Sequence, residues 1–109
     1  MNQPSAHRHH SGAILLFGAT GDLARRMLLP SLYALSLDGL ISPDLRIFGT
    51  ARRDLDDPGF QAMALEALEE FLPESRRNTE AMRAFVARLR YHPLDASQVA
   101  DFHLLAERI

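Results

Sequence analysis

The chain has 109 residues, of which 47% are hydrophobic and 24% charged, a composition typical of one small globular domain. Twelve basic and fourteen acidic residues give a formal net charge of -2, which argues against nucleic acid or an anionic membrane as a partner. The absence of cysteine excludes disulfides, thiolate metal sites and cysteine nucleophiles from this sequence. No apolar run approaches the roughly 20 residues that span a bilayer, and no secretory signal is evident, so a cytoplasmic location is expected.

Residues 1–12 are expected to form a disordered leader, because they are polar, contain proline and glycine, and show no hydrophobic periodicity. His7, His9 and His10 could bind a metal ion in principle. No carboxylate or further ligand follows at a fixed spacing, so a solvated tail is the preferred interpretation.

The first elements predicted are a strand and a helix. A continuous apolar run, Ala13–Phe17, ends at Gly18 and is typical of a strand buried on both faces of a parallel sheet. A helix should follow from Asp22 to about Leu37, with a kink or a restart at Pro30 and a stop near Gly39. The apolar residues expected to form its buried stripe are Leu23, Met27, Leu28, Leu32 and Leu35.

Further elements repeat this alternation. A strand is predicted over Leu45–Gly49, followed by a helix that begins after Gly59 and ends near Pro73. A helix over roughly Thr79–Leu89, a short strand near Tyr91 and a last helix complete the prediction. The apolar faces of the three helices are expected to be Phe60, Met63, Ala64, Ala67, Leu68 and Phe71, then Met82, Phe85, Val86 and Leu89, then Val99, Phe102, Leu105 and Ala106. The prediction is an α/β fold, an incomplete Rossmann-like doubly wound parallel sheet. We interpret residues 13–109 as the N-terminal part of such a domain, since a complete one commonly takes about 150 residues.

The junction between the first strand and helix, Gly18-Ala19-Thr20-Gly21-Asp22-Leu23-Ala24, is typical of an anion site. The first backbone N–H groups of a helix lack partners and carry the positive end of its dipole. Gly18 permits a tight turn, Gly21 lets the backbone approach a pyrophosphate, and Ala24 is small enough for close packing. The spacing differs from the commoner Gly-x-Gly-x-x-Gly, and a plain tight turn remains the alternative.

Arginines follow both proposed strand ends. Arg25 and Arg26 lie in the first helical turn, where positive charge opposes the dipole by about 0.3 to 1 kcal/mol; a bound anion would offset that cost, and solvent screening would also reduce it. The second strand runs into Arg52 and Arg53, at the point where a Rossmann fold meets the adenosine ribose. NAD enzymes place Asp or Glu there, whereas arginine can bind the 2′-phosphate of NADP. A solvated loop is the alternative.

The third strand is followed by Asp95, near the edge where cofactor contacts gather, although a helix N-cap fits it as well. His92 and His103 have no clear partners in the sequence, and we interpret both as structural.

The chain resembles the N-terminal part of glucose-6-phosphate dehydrogenase over roughly residues 13–109. The motifs that carry the resemblance are Phe17-Gly18-Ala19-Thr20-Gly21-Asp22-Leu23-Ala24-Arg25-Arg26, Leu28-Leu29-Pro30-Ser31-Leu32-Tyr33 and Gly49-Thr50-Ala51-Arg52. The resemblance implies NADP as cofactor. It implies contacts from Gly18, Ala19, Thr20, Gly21, Asp22, Leu23, Ala24, Arg25 and Arg52, and from Asp95 and Ala96 in the cofactor-side loop.

The family oxidises the C1 hydroxyl of glucose 6-phosphate and passes hydride to NADP, which opens the pentose phosphate pathway. Its histidine base lies in an Arg-Ile-Asp-His-Tyr motif that is absent from these 109 residues. The large domain that carries substrate binding and oligomer contacts is also absent. The resemblance therefore implies a fragment that binds NADP and is inactive by itself, with glucose 6-phosphate a substrate of the complete enzyme only.

One residue departs from the family pattern. Met27 stands where the family usually has a lysine that reaches toward the sugar phosphate and the cofactor, and a core position at helical spacing is the alternative explanation. Two other functions remain open. One is a non-catalytic NADP-binding module, and the other is an atypical short-chain dehydrogenase-like protein, because Gly-Ala-Thr-Gly also opens that fold.

Overall fold

Three parallel strands form one sheet in the order β1-β2-β3 in a computed structural model that describes residues 12–94 and 99–108. The strands are β1 (Ala13–Phe17), β2 (Arg46–Ala51) and β3 (Leu89–Pro93). Phe17 pairs with Thr50, and Thr50 pairs with His92. The carboxyl ends of all three strands therefore lie along the same edge of the sheet.

Helices connect the strands, and a last helix follows β3. A π-helical turn, Ala24–Leu28, runs directly into α1 (Leu29–Leu37); the later helices are α2 (Asp57–Phe71), α3 (Thr79–Ala87) and α4 (Val99–Arg108), with a 3₁₀ turn at Glu74–Arg76. Within the described ranges, no helix is long and apolar enough to cross a membrane. Residues 1–11 of the predicted leader lie outside the described residues, as do the three histidines among them.

Helices cover both faces of the sheet, as expected of a doubly wound α/β fold. Neighbouring residues of a strand point to opposite faces. Gly49 faces α2, where an added Cβ would lie 2.5 Å from the Phe60 ring. Its neighbour Phe48 contacts α4, with the Arg108 guanidinium 5.7 Å from the ring centroid. The main core fills the α1–α3 side and includes Leu16, Leu29, Tyr33, Ile47, Phe60, Ala64, Leu68, Met82, Phe85, Leu89 and Tyr91.

Strand β1 has the predicted bounds but not the predicted burial. Leu16 is its one buried residue, and Phe17 is 57% exposed. In the described part of the chain β1 lies at the edge of the sheet, paired with β2 alone, so its outer side and one of its faces are open. The expectation of burial on both faces is therefore wrong for these residues.

The interruption predicted at Pro30 is confirmed, and it takes the form of the π-helical turn. The Leu29 N–H donates to the Ala24 carbonyl five residues back, directly before the proline that has no N–H to donate. The wider turn changes the period of the helix, so the buried residues are Ala24, Leu29, Pro30 and Tyr33. The predicted stripe is wrong at Leu23, Met27 and Leu35, which are exposed.

The predicted faces of the other helices hold with local exceptions. Helix α2 buries Phe60, Ala64, Ala67 and Leu68, and the Asp56 side chain caps its start by accepting from the Gly59 N–H at 2.8 Å. Helix α3 ends at Ala87, and Leu89 begins β3 instead, because it pairs there with Ile47 of β2.

Strand β2 and helix α4 also differ from the prediction. Strand β2 extends past Gly49 to Ala51 and so includes Thr50. In α4, Leu105 is buried as expected but its neighbour Ala106 is exposed, since adjacent helical residues point about 100° apart. The side chains of Val99 and Phe102 lie outside the described part of the chain.

Candidate dinucleotide-binding site

The turn after β1 contains a glycine in the left-handed region. Gly18 has a φ of 68°, and the Gly21 N–H donates to the Gly18 carbonyl at 2.9 Å to close the turn. The Ala19 N–H donates to the Thr50 carbonyl at 3.1 Å, which fixes the turn against the end of β2. The sequence therefore places the tight turn correctly. The Gly21 N–H, however, is used inside the turn.

The backbone donors that follow the turn are unpaired. Over the residues that the structure describes, the N–H groups of Thr20, Asp22, Leu23 and Ala24 donate to no acceptor of the chain, and the Arg25 N–H makes the first helical bond, to Gly21 at 3.1 Å. Unpaired N–H groups at a helix start carry partial positive charge and suit an anion. The expectation that these N–H groups lack partners is confirmed, and the binding of an anion there stays a prediction.

Arg25 and Arg26 both have acidic partners within the chain. Arg26 Nε donates to Asp22 Oδ1 at 3.0 Å, and its guanidinium lies 5.2 Å from the centroid of the Phe71 ring. Arg25 Nη2 lies 3.7 Å from Glu70 Oε1 in a partly exposed ion pair. These carboxylates offset the repulsion between the arginines and the helix dipole, so the placement of the two arginines is explained without a bound anion.

Gly18 and Arg52 line one cavity at the carboxyl edge of the sheet. The cavity measures about 230 Å³, with Phe17, Thr50, Ala51 and Leu94 as its other walls. Thr50 is 1% exposed, and its hydroxyl has no hydrogen-bond partner among the described residues. Arg52 is exposed and forms no ion pair with that same part of the chain. The wall of this cavity is mainly apolar, so Gly18 and Arg52 share it chiefly through backbone and aliphatic atoms at one edge of the sheet.

A second and larger cavity, of about 390 Å³, lies between the glycine turn and α2. Thr20, Arg25 and Arg53 line it together with residues of α2 and of the segment before it, among them Gly59, Met63 and Glu66. From the sequence, either Arg52 or Arg53 could bind the 2′-phosphate of NADP. The structure separates them, because Arg52 shares a cavity with Gly18 and Arg53 shares one with Thr20 and Arg25.

The other residues singled out from the sequence are Asp95, Ala96, His92 and His103. Asp95 and Ala96 lie outside the described residues. His92 is half-buried and His103 is exposed. Across residues 12–94 and 99–108, no group of three or more acidic or histidine side chains is arranged to hold a metal ion.

Tyr91 is a residue beside the site that the sequence analysis missed. Its hydroxyl lies 3.1 Å from the Ala51 carbonyl oxygen and 2.6 Å from that of Arg53. These two carbonyls flank Arg52 along the chain. A tyrosine in a short predicted strand gives no signal of such a contact, because its partners lie 38 and 40 residues away in sequence.

Comparison with known proteins identifies the family. The sequence model of the family described as "Glucose-6-phosphate dehydrogenase, NAD binding domain" matches residues 15–109. The chain belongs to this family. The glucose-6-phosphate 1-dehydrogenase of Zymomonas mobilis is 45% identical over 94 residues, which are 86% of this chain and 19% of that protein. The enzyme of the same name from Gluconobacter oxydans is 45% identical over 84 residues, which are 77% of this chain and 17% of that protein.

Solved structures of this family share the fold. The crystal structure of glucose-6-phosphate 1-dehydrogenase from Mycobacterium avium matches with a TM-score of 0.80 at 28% identity, covering 92% of this chain and 22% of that one. A glucose-6-phosphate dehydrogenase in complex with its substrate glucose-6-phosphate matches with a TM-score of 0.78 at 25% identity, covering 91% of this chain and 20% of that one. The chain spans about a fifth of the length of these relatives. Family membership excludes the short-chain dehydrogenase alternative.

Proposed function

We propose that this chain forms the NADP-binding part of a glucose-6-phosphate dehydrogenase. The observation that carries the proposal is that Gly18 and Arg52 line the same cavity at the carboxyl edge of the sheet. Dinucleotides bind Rossmann folds at this edge, with the adenosine ribose at the tip of the second strand. Family membership supports a dinucleotide, and the arginine at the end of β2 supports the phosphorylated form.

The groups around the glycine turn fit the two phosphate positions of NADP. The unpaired N–H groups of Thr20, Asp22 and Leu23 suit the pyrophosphate. The Arg52 guanidinium has the planar shape that binds a phosphate through two parallel hydrogen bonds, which suits the 2′-phosphate. When bound, the nicotinamide supplies the hydride acceptor, and the residues of this chain hold and orient the nucleotide.

The other assigned residues have smaller parts in this proposal. Ala19 and Ala24 are 0% and 1% exposed, so their part is to let the turn pack closely against the sheet and leave the surface to their neighbours. Arg25 lines the larger cavity with Thr20 and adds positive charge beside the turn. Asp95 and Ala96 keep the cofactor-side role that the resemblance implies.

The activity proposed for the whole protein is oxidation of glucose 6-phosphate to 6-phosphogluconolactone with reduction of NADP, in the pentose phosphate pathway. One structural relative is a complex with glucose-6-phosphate, which gives this substrate as the expectation here. The sequence lacks the family's Arg-Ile-Asp-His-Tyr motif, so these 109 residues have no assigned general base. We therefore propose that they bind NADP without turnover by themselves.

A second candidate, a non-catalytic NADP-binding module, is favoured by Met27. Its side chain is 59% exposed beside Arg26, and the two line an open groove between α1 and the end of α2. A thioether at that point cannot provide the ammonium that the family usually has there. In such a module NADP binding would persist, and glucose 6-phosphate would bind weakly even to a longer form of the protein.

Isothermal titration of the 109-residue chain with NADP, NAD and glucose 6-phosphate tests the proposal. We expect saturable binding of NADP about tenfold or more tighter than that of NAD, since one charge-assisted phosphate contact is worth roughly 1.5 to 3 kcal/mol. Glucose 6-phosphate alone should give no signal. Failure of both nucleotides to bind would contradict a dinucleotide site, and equal affinity for both would contradict the assignment of Arg52.

A further inference from the structure

A buried tyrosine holds the backbone on both sides of Arg52. Tyr91 is 1% exposed, and its hydroxyl is within hydrogen-bond distance of the carbonyl oxygens of Ala51 and Arg53. The hydroxyl has one proton to donate, so it alternates between the two acceptors or is shared by them. The shorter distance, 2.6 Å, is to Arg53.

The two carbonyls depend on Tyr91 to different degrees. The Ala51 carbonyl also accepts from the Leu94 N–H at 2.8 Å, so it keeps a partner without the tyrosine. The Arg53 carbonyl accepts from no other donor in the described part of the chain. Loss of the hydroxyl would therefore release the backbone immediately after Arg52.

Tyr91 is itself held firmly in place. Its ring packs on Phe60, with the centroids 5.2 Å apart, and its N–H donates to Asp57 Oδ1 at 2.7 Å. Its carbonyl accepts from the Arg108 guanidinium. Burial raises the pKa of the Tyr91 phenol, so at neutral pH the group retains the proton that it donates. The hydroxyl therefore has a well-defined position, and its contacts restrain the backbone at the end of β2.

We propose that Tyr91 is a positioning residue that sets the preference for NADP over NAD by fixing the backbone around Arg52. The inference rests on the proposed function, in which Arg52 binds the 2′-phosphate. Without the hydroxyl, the segment after β2 samples more conformations. The Arg52 guanidinium then spends less time in the position that binds the 2′-phosphate of NADP. NAD has no phosphate at this position, so its affinity does not depend on where Arg52 lies.

The test compares Tyr91→Phe with Tyr33→Phe, which removes the hydroxyl from the other of the two tyrosines. Tyr33 is also 1% exposed, and its hydroxyl donates to the Arg76 carbonyl at 3.3 Å, away from the end of β2. In Tyr91→Phe we expect the dissociation constant for NADP to rise by about three- to tenfold, as for loss of one hydrogen bond, and that for NAD to change by less than about twofold. Tyr33→Phe should keep the wild-type ratio. An unchanged ratio in Tyr91→Phe, or equal weakening of both nucleotides, would overturn the inference.

A double-mutant cycle with Arg52→Ala shows whether Tyr91 acts through the arginine. In the Arg52→Ala background, Tyr91→Phe should produce no further change in the NADP-to-NAD affinity ratio, because the group that it positions is gone. Additive effects would overturn the inference while leaving the role of Arg52 intact. If Arg52→Ala itself leaves the ratio unchanged, the proposed function fails, and the role of Tyr91 fails with it.

A fluorine probe gives a second measurement that does not depend on the folding of Tyr91→Phe. Labelling the Tyr33→Phe chain with 3-fluorotyrosine places a single probe at Tyr91, since the chain has only these two tyrosines. We expect NADP to shift the fluorine resonance more than NAD does, and Arg52→Ala to remove the difference. Equal shifts with the two nucleotides would overturn the inference.

Discussion

The Arg108 guanidinium and the Asp57 carboxylate lie 2.8 Å apart, although 51 residues separate them in sequence. Both also bond the backbone of Tyr91, Asp57 by accepting from its N–H and Arg108 by donating to its carbonyl. Within the described residues β3 pairs with β2 alone, so these backbone groups face outward, where a further strand would pair. The ion pair occupies that position and blocks the open edge of the sheet.

Asp57 gives the fold a predictable response to acid. Burial raises its pKa, but the hydrogen bond from Tyr91 and the charges of Arg108 and Arg90 outweigh burial, so the pKa lies below its ordinary value of 3.8. A carboxyl group whose pKa falls on folding stabilises the fold above its unfolded pKa, and this stabilisation is lost as pH falls through the folded pKa. We expect Asp57→Asn to lower the free energy of unfolding by on the order of 1 kcal/mol at neutral pH, and by less below about pH 4.

Urea unfolding at several pH values measures this effect. Asp44→Asn is the matched control, since it removes a charge from an exposed carboxylate that makes no ion pair with the described residues. It should change the free energy of unfolding little at any pH. A difference between wild type and Asp57→Asn that stays constant down to acid pH would show that the carboxylate charge is not the cause.

Gly49 is predicted to be intolerant of any side chain. A Cβ there would lie 2.5 Å from the Phe60 ring and 2.8 Å from the Ala19 Cβ, both in the core. We expect Gly49→Ala to destabilise the fold by about 1 to 3 kcal/mol, as overpacking of a core does. Gly12→Ala, whose Cβ would lie at an ordinary 3.4 Å from Leu45, should cost much less in thermal or urea unfolding. Equal costs would mean that Phe60 moves aside without strain.

Substitutions of Gly18 and Gly39 form a matched pair that distinguishes the effect of backbone strain from an effect on nucleotide binding. Both have a positive φ, 68° and 72°, and a Cβ at either would have no heavy atom within 4 Å apart from those of the residue itself and its two chain neighbours. Alanine at either position should therefore cost about 1 to 2 kcal/mol of stability from backbone strain alone. Gly18 lines the proposed cofactor cavity, so only Gly18→Ala should weaken both NADP and NAD in calorimetric titration. Unimpaired binding by Gly18→Ala would contradict the location of the site.

Met27→Lys tests whether this methionine belongs to the core. Because the side chain is 59% exposed, the substitution should change the free energy of unfolding by no more than about 0.5 kcal/mol. Leu29→Lys, two residues further along at a position that is 0% exposed, should unfold the chain. A large loss of stability in Met27→Lys would restore the core interpretation that the sequence allowed.

The features that the sequence predicts most accurately are those that depend on a few neighbouring residues. The bounds of β1, the turn at Gly18 and the end of α1 near Gly39 follow from an apolar run and from glycines that adopt a positive φ. The interruption at Pro30 follows from a missing N–H group. The buried face of the same helix could not be predicted, because the π-helical turn shifts the period on which that prediction relies.

Contacts across the fold depend on packing that one sequence does not reveal. The bonds of Tyr91 to the end of β2, and of Asp57 to Arg108, join residues 38 to 51 positions apart and exist only once α2 and α4 lie against the sheet. The candidate site likewise has parts that the sequence reveals and parts that depend on the fold. The glycine turn and the arginines could be found from motif and resemblance, but the separation of Arg52 from Arg53 depends on how the chain leaves β2.

The affinity of Arg52→Ala for NADP and NAD, measured by calorimetry, tests the central claim most directly. Arg83→Ala, which removes the same charge from the exposed side of α3, is the control, and Arg53→Ala shows whether the larger cavity takes the phosphate instead. We predict that Arg52→Ala weakens NADP by about 1 to 3 kcal/mol, leaves NAD unchanged, and exceeds the effect of either other variant. Equal weakening of NADP and NAD, or no change in either, would contradict the assignment of Arg52 to the 2′-phosphate.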